Sequence, residues 1–387
     1  MLKTLAVANY RSLRRLVLPL GRLNVVSGAN GSGKSNVYRA LRLLAGCAHG
    51  GMIAALAREG GLQSTLWAGP ENLSKAMRRG DVPVQGTVRQ EPVNLRLGFA
   101  GDDFGYAIDL GLPIPGAPTL FGHDPQIKSE CIWAGPLLRP ASLLAERRNN
   151  VLRLRQGRTW QVVHQHLPGF DSLFAHCADP QAAPEVLRMR ERIRGWRFYD
   201  QLRSDRDAAA RQPQIGTHTQ VLADDGADLA AALQTIREIG DPDRLQAALH
   251  DAFPGTQLQI DAHEGRLMLG LHQPGLLRPL RAAELSDGTL RYLLLLAALL
   301  SPRPPGLLVL NEPETSLHPD LLPALARLIA QAADQTQVLV VSHAARLVAA
   351  LTAQSDCQAW VLEKEWSETR VHGLAALDEP AWYWLER

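Results

Sequence analysis

The run Gly28-Ala29-Asn30-Gly31-Ser32-Gly33-Lys34-Ser35 constrains this chain more than any other stretch. It fits the spacing G-x-x-x-x-G-K-S without deviation. The apolar run Leu23 to Val26 precedes it, and a helical pattern from Ser35 to Ala45 follows. Strand, glycine-rich loop and helix in that order make a phosphate cradle. The glycines let the backbone bend so that N–H groups along Asn30, Gly31, Ser32 and Gly33 face phosphate oxygens. The helix N-terminus adds a favourable dipole, Lys34 reaches the outer phosphates, and the Ser35 hydroxyl is a ligand for Mg²⁺. A chain built on this element binds a nucleoside triphosphate on an α/β scaffold.

Three further segments gain weight from their order. Leu307 to Leu310 is an apolar strand candidate ending in Asn311-Glu312, the place for a second phosphate motif. The usual pair there is Asp-Glu, the Asp serving Mg²⁺ and the Glu polarising the attacking water. Asn311 keeps an amide oxygen for a metal-bound water but supplies no negative charge, while Glu312 remains as general base. Glu314 is the alternative source of the missing charge. Leu285-Ser286-Asp287-Gly288-Thr289 stands just before a Leu-rich helix, and alone it reads as an N-cap with a tight turn. Val338 to Val341, followed by Ser342-His343, sets an imidazole at a strand end, suited to a γ-phosphate.

Four motifs in this sequence order resemble the RecF/SMC-type branch of the ATP-binding-cassette (ABC) superfamily. Asn9-Tyr10-Arg11-Ser12-Leu13 is similar to that branch's opening element, and Glu312-Pro-Glu-Thr-Ser-Leu-His318-Pro319 to its compact RecF-like ATPases. The resemblance implies an α/β P-loop NTPase: a two-lobed ABC-type head with antiparallel β elements and a helical middle lobe. It implies ATP and Mg²⁺ at Lys34 and Ser35, with Asn311 at the metal position, Glu312 as the catalytic base and His343 as γ-phosphate sensor. It also implies an ATP-dependent head-to-tail homodimer, in which Ser286 and Gly288 contact the partner's nucleotide. Asn311 departs from the acidic ligand, so slow hydrolysis is expected; His318 replaces the Asp of transporter-type proteins. Gln63 and Gln126 are candidates for the loop glutamine of such sites. The expected division is residues 1–136 with the phosphate loop, 137–300 as a mainly helical lobe ending in the signature loop and its helix, and 301–387 returning to the first lobe.

Composition narrows the class. The chain has 387 residues and a net charge of +2, too apolar at 46% for a mostly disordered protein. Its longest apolar run, Tyr292 to Leu300, is far below the ~20 residues of a membrane span. Four cysteines lie far apart, as expected of a soluble cytoplasmic protein without a disulfide framework. Residues 137–211 carry 14 Arg against 8 acidic residues, a skew that points to a DNA phosphate surface. Within it, 184–211 reads as a helix with Arg190, Arg194 and Arg197 on one face and Trp196 and Tyr199 on another. His164, His166, His176 and Cys177 are weak metal candidates, and Trp382, Tyr383 and Trp384 suit a tail docked on the head. The favoured expectation is an ATP-hydrolysing, ATP-gated dimer in DNA repair or related DNA transactions. The alternative is an ATPase switch of a defence or toxin-type system working through a protein partner. A transport ATPase subunit ranks third.

Overall fold

The computed structural model describes residues 1–70, 75–79, 81–82, 94–113, 120–177, 179–354, 356–375 and 378–385. The run from Gly111 to Pro125, with Gly or Pro at seven of fifteen positions, reads as a loop, and its part at 114–119 lies outside them. Two compact units interleave along the chain. The first comprises Met1–Leu20, Ala29–Arg194 and Leu362–Arg387, the second Gly21–Gly28 and Gly195–Val361. The divisions expected at 136/137 and 300/301 fall inside the first and second unit respectively.

The first unit is built on an eight-stranded antiparallel sheet. Its second strand is Leu2–Tyr10, paired with the edge strand Leu13–Pro19 on one side and Leu95–Gly101 on the other. The sheet continues through Phe104–Gly111, Gln126–Ala134, Leu143–Arg148, Val151–Gln156 and Thr159–His164. The helix Lys34–Ala48 buries Val37, Leu41 and Leu44, and the helix Pro184–Arg194 packs beside it. On the sheet, Trp382 packs edge-on against Trp133 with ring centroids 5.6 Å apart, so the aromatic tail docks as expected. A Cβ on Gly98 would meet the Trp382 ring at 2.6 Å, which is why a glycine sits under it.

The second unit has four parallel strands in the order Arg197–Tyr199, Leu307–Asn311, Gln337–Val341, Leu23–Gly28. Their near-continuous apolar runs follow from burial on both faces. The helix Asp287–Leu299 is buried on nearly every side, packed against Leu322–Ala333, Leu229–Ile239 and Pro242–Ala252. A smaller sheet holds Gln214–Ile215, Arg266–His272, Gln257–His263 and Leu280–Arg281. In the parallel sheet Asn311 pairs with Val341 and Val341 with Val26, so three strands end in one row. Ligands of open α/β sheets sit beyond that carboxyl edge.

Two expectations needed correction. The helix expected over 184–211 ends at Arg194; Gly195 breaks it, and the β-prone run after it forms the strand Arg197–Tyr199. Phe198 and Tyr199 are buried there, so Arg190, Arg194 and Arg197 do not share a helix face. The segment after 137 begins with three strands rather than helices. Arg147, Arg148, Arg153 and Arg155 crowd those strands, and their charge hides the apolar alternation of Leu143, Ala145, Leu152 and Leu154.

Candidate nucleotide-binding site

The phosphate loop has the backbone its sequence demands. Gly28, Gly31 and Gly33 all take positive φ, at 145°, 78° and 105°. Gly33 caps the helix Lys34–Ala48, so the loop runs straight into a helix N-terminus. A Cβ on Gly33 would lie 2.1 Å from Thr369 Oγ1, so this position excludes any side chain. Asn30, Gly31 and Ser35 are exposed and Lys34 is buried. Lys34 Nζ donates to the Ala29 carbonyl at 2.9 Å, curling the side chain back over the loop. Ser32 Oγ is buried without a partner.

The ends of the parallel strands gather the acidic residues. Glu312 N–H donates to the Val341 carbonyl at 2.8 Å, continuing the sheet register one residue past Asn311. Glu312 then takes a left-handed φ of 48°, and Ser316 one of 65°. Such conformations cost a non-glycine residue on the order of 1 kcal/mol and collect at functional sites. The turn leaves the Glu312 side chain 40% exposed, with its Oε1 3.8 Å from His343 Nδ1. Glu314 is buried beside it. Its Oε1 accepts from Ser342 Oγ at 2.7 Å, His343 N at 3.0 Å and Ala344 N at 3.2 Å, and lies 3.4 Å from His343 Nδ1. Sequence reading placed Glu312 and His343 but missed that Glu314 ties the histidine's backbone down. Asn311 Oδ1 and Glu314 Oε2 are both buried with no hydrogen-bond partner.

The Ser286–Thr289 turn is an N-cap as its sequence reads: Ser286 Oγ accepts from Thr289 N at 3.1 Å. It is also held from outside the motif. Arg211, nearly buried, donates to the carbonyls of Ala282 at 2.9 Å and Leu285 at 2.8 Å, and to Asp287 Oδ1 at 2.7 Å. A Cβ on Gly288 would approach the Ser316 carbonyl to 2.8 Å, so a glycine is needed where the two loops touch. Arg291, one turn along the same helix, is buried, and burial lowers its pKa against the opposing pull of Glu314 and Asp200.

A family model described as "AAA domain, putative AbiEii toxin, Type IV TA system" matches residues 180–349. No curated protein matches the chain. Among solved structures, an Smc head bound to the C-winged helix domain of ScpA is 12% identical over 96% of this chain and 97% of that one, with a TM-score of 0.51. The fold is that of an ABC/SMC-like P-loop ATPase head. The SMC head domain from Thermotoga maritima, 14% identical over 96% and 97% of the two chains, gives a TM-score of 0.46. The Pyrococcus furiosus Smc head with an extended coiled coil, solved with the C-terminal domain of ScpA, is 12% identical over 96% and 95% and gives 0.48.

The residues of this head fit Mg²⁺ and ATP by the chemistry of their unpaired atoms. A buried hydroxyl on the phosphate loop suits an anion, and two buried acceptors at the strand ends suit a cation or its waters. A serine hydroxyl such as Ser35, and an amide oxygen such as that of Asn311, are each of the donor type that holds Mg²⁺, which neutralises phosphate charge when bound. Among the described residues no cluster of three or more His, Cys, Asp or Glu forms a metal site. His164 Nε2 instead lies 3.3 Å from the His176 carbonyl, and His176 pairs with Asp171. Gln63 faces His123 and Gln126 accepts from Lys128 Nζ at 3.2 Å. No described helix is long and apolar enough to cross a membrane.

Most arginines of 137–211 are committed to the head itself. Arg147 is fully buried, donating to the Asn149 and Pro168 carbonyls at 2.7 Å and facing Glu130 at 3.9 Å. Arg148 and Arg153 share Glu146, while Arg155 donates to the Pro140 and Ala141 carbonyls. Arg190 and Arg194 pair with Glu191, Arg192 with Asp103, and Arg203 with Asp205. Arg139, Arg158, Arg188 and Arg206 are exposed.

Proposed function

We propose that the chain is a RecF-like ATPase switch: it binds Mg²⁺–ATP, closes as a head-to-tail homodimer and reopens after slow hydrolysis. One observation carries this reading: a single sheet edge gathers the root of the phosphate loop at Gly28, the Asn311–Glu312 pair and the Ser342–His343 turn. Lys34 and the loop N–H groups bind the phosphates, with Ser35 and Asn311 on the metal side. Glu312 takes the proton of the attacking water, and His343, held by Glu314, meets the γ-phosphate. Ser286 and Gly288 complete the partner's site.

The output is a protein partner, as in a toxin-type system. The wording of the matching family model favours this, and so does the use of most middle arginines inside the head. A DNA-repair role is the second reading, supported by the charge skew and the exposed Arg139, Arg158 and Arg188. Reversing those three to Glu weakens duplex binding under that reading and flattens its log–log salt dependence by roughly one unit per lost contact. Duplex binding that is absent, or unmoved by the reversal, leaves the protein-partner reading.

The dimer is tested by light scattering. Glu312→Gln keeps ATP binding but slows turnover by about 100-fold or more. It therefore accumulates the closed form, and its mass doubles with ATP. Lys34→Ala and Ser286→Arg, each added to it, abolish the doubling. A Glu312→Gln protein that stays monomeric at saturating ATP rules out the closing dimer.

A further inference from the structure

Two hydroxyls outside the G-x-x-x-x-G-K-S motif hold the phosphate loop from behind. Thr369, on the strand Glu368–Val371, is buried, and its Oγ1 donates to the Ser32 carbonyl at 2.7 Å. Ser12 Oγ lies 2.7 Å from Thr369 Oγ1, and Asn36 Nδ2 donates to Ser12 Oγ at 2.9 Å. One proton arrangement satisfies all three bonds. An amide nitrogen can only give and a carbonyl can only accept, so Asn36 gives to Ser12, Ser12 to Thr369 and Thr369 to Ser32. The backbone repeats the link, with Thr369 N donating to the Ser12 carbonyl at 2.8 Å.

The consequence lies in the peptide that follows Ser32. In a planar trans peptide the C=O of one residue and the N–H of the next point in opposite directions. Anchoring the Ser32 carbonyl towards Thr369 therefore aims the Gly33 N–H the opposite way, away from Thr369. A Cβ on Gly33 would lie 2.1 Å from Thr369 Oγ1 and 2.9 Å from Ser12 Oγ, so the two hydroxyls occupy the space a side chain would need. The Gly33 φ of 105° and the brace define the same loop shape.

We propose that Ser12 and Thr369 are positioning residues of the nucleotide site, a hydrogen-bonded brace that fixes the Ser32–Gly33 peptide before ATP arrives. The proposal rests on the reading that the loop binds ATP. Donors set in place beforehand spend less binding energy on ordering the loop. The brace acts on the loop itself, so ATP and ADP, which share the inner phosphates, feel it equally.

The test is the affinity of the full chain for Mg²⁺–ATP and for ADP, by isothermal titration calorimetry, in wild type, Thr369→Val and Thr369→Ser. Valine keeps nearly the shape of threonine and removes the hydroxyl. Loss of that bond weakens both nucleotides by about ten-fold, and Thr369→Ser restores both to within about three-fold of wild type. In steady-state kinetics KM rises by a larger factor than kcat falls. Wild-type affinity in a folded Thr369→Val overturns the brace, as does weakening that Thr369→Ser does not rescue, which marks a packing role. Should Thr369→Val not fold, Ser12→Ala decides: weaker binding of both nucleotides at an unchanged Tm is expected, and unchanged affinity overturns the proposal. Wild type that binds neither nucleotide overturns the ATP reading and the brace with it, an outcome distinct from failure of the brace alone.

Discussion

The phosphate loop and the ends of the parallel strands carry opposite chemistry. The loop offers donors: backbone N–H groups, the Lys34 ammonium and the Ser32 hydroxyl, with its geometry fixed by Thr369 and Ser12. The strand ends offer acceptors: Asn311 Oδ1 and Glu314 Oε2, buried without partners, and the half-exposed Glu312. A buried polar atom with no partner costs about 1–3 kcal/mol. The donor set matches a triphosphate and the acceptor set a hydrated divalent cation, so each edge keeps a cost that its own ligand would remove. The difference also separates their failures. Damage to the donors removes binding, and damage to the acceptors removes metal dependence and turnover.

The largest effect is expected on the donor side. Gly33→Ala combines a left-handed φ with a clash against Thr369, and should lower ATP affinity by about 100-fold or more. Equilibrium binding of ATP checks this; near wild-type affinity would mean that the loop donors do not hold the triphosphate. A smaller effect is expected at Glu314. Glu314→Gln keeps one oxygen for Ser342, His343 and Ala344 but loses the charge. It should lower kcat by about ten-fold while ATP affinity in EDTA stays put. A matching drop in that affinity would show that the two edges are not separable.

The smallest effect tests the cost of an idle acceptor. Asn311→Leu removes a buried amide oxygen that has no partner and should stabilise the nucleotide-free protein by about 1 kcal/mol while reducing turnover. Thermal denaturation without nucleotide reads it as a rise in Tm of a few degrees, about 2–4 °C for a domain of this size. A Tm that falls would mean that the amide is already satisfied and is not held ready for a ligand.

The sequence made the nucleotide site legible only where local spacing dictates local shape. Gly28 to Ser35 specify their loop because each glycine answers a backbone demand inside eight residues. Asn311, Glu312 and His343 were legible because apolar runs end at polar residues, and the parallel register then brings those ends together. Thr369 was not legible: an ordinary threonine, it meets Ser32 only through a fold that closes 337 residues of separation. Arg211 was hidden in the same way, since it joins the nearby Ser204 and Asp205 carbonyls to Ala282, Ala283, Leu285 and Asp287, which lie more than 70 residues further along the chain. The arginine skew was legible only in part, because a count does not show which arginines the fold leaves exposed. Charge counting sees Arg147 as surface, yet the fold buries it whole against Glu130. The helix expected over 184–211 overran because a 3.6-residue pattern persisted by chance past Gly195 into a parallel strand.

Whether the strand ends bind the metal is read from a Mg²⁺ titration of ATP turnover at fixed ATP. Wild type, Asn311→Asp and Glu314→Gln are compared. A carboxylate at 311 adds the charge that holds a hard cation beside phosphates, so Asn311→Asp should lower the half-saturating Mg²⁺ concentration several-fold. A midpoint that Glu314→Gln raises and Asn311→Asp leaves unchanged or raises would instead mean that the buried carboxylate already supplies what Asn311 lacks. Wild type that already saturates at stoichiometric Mg²⁺, with neither variant shifting the midpoint, would contradict the account.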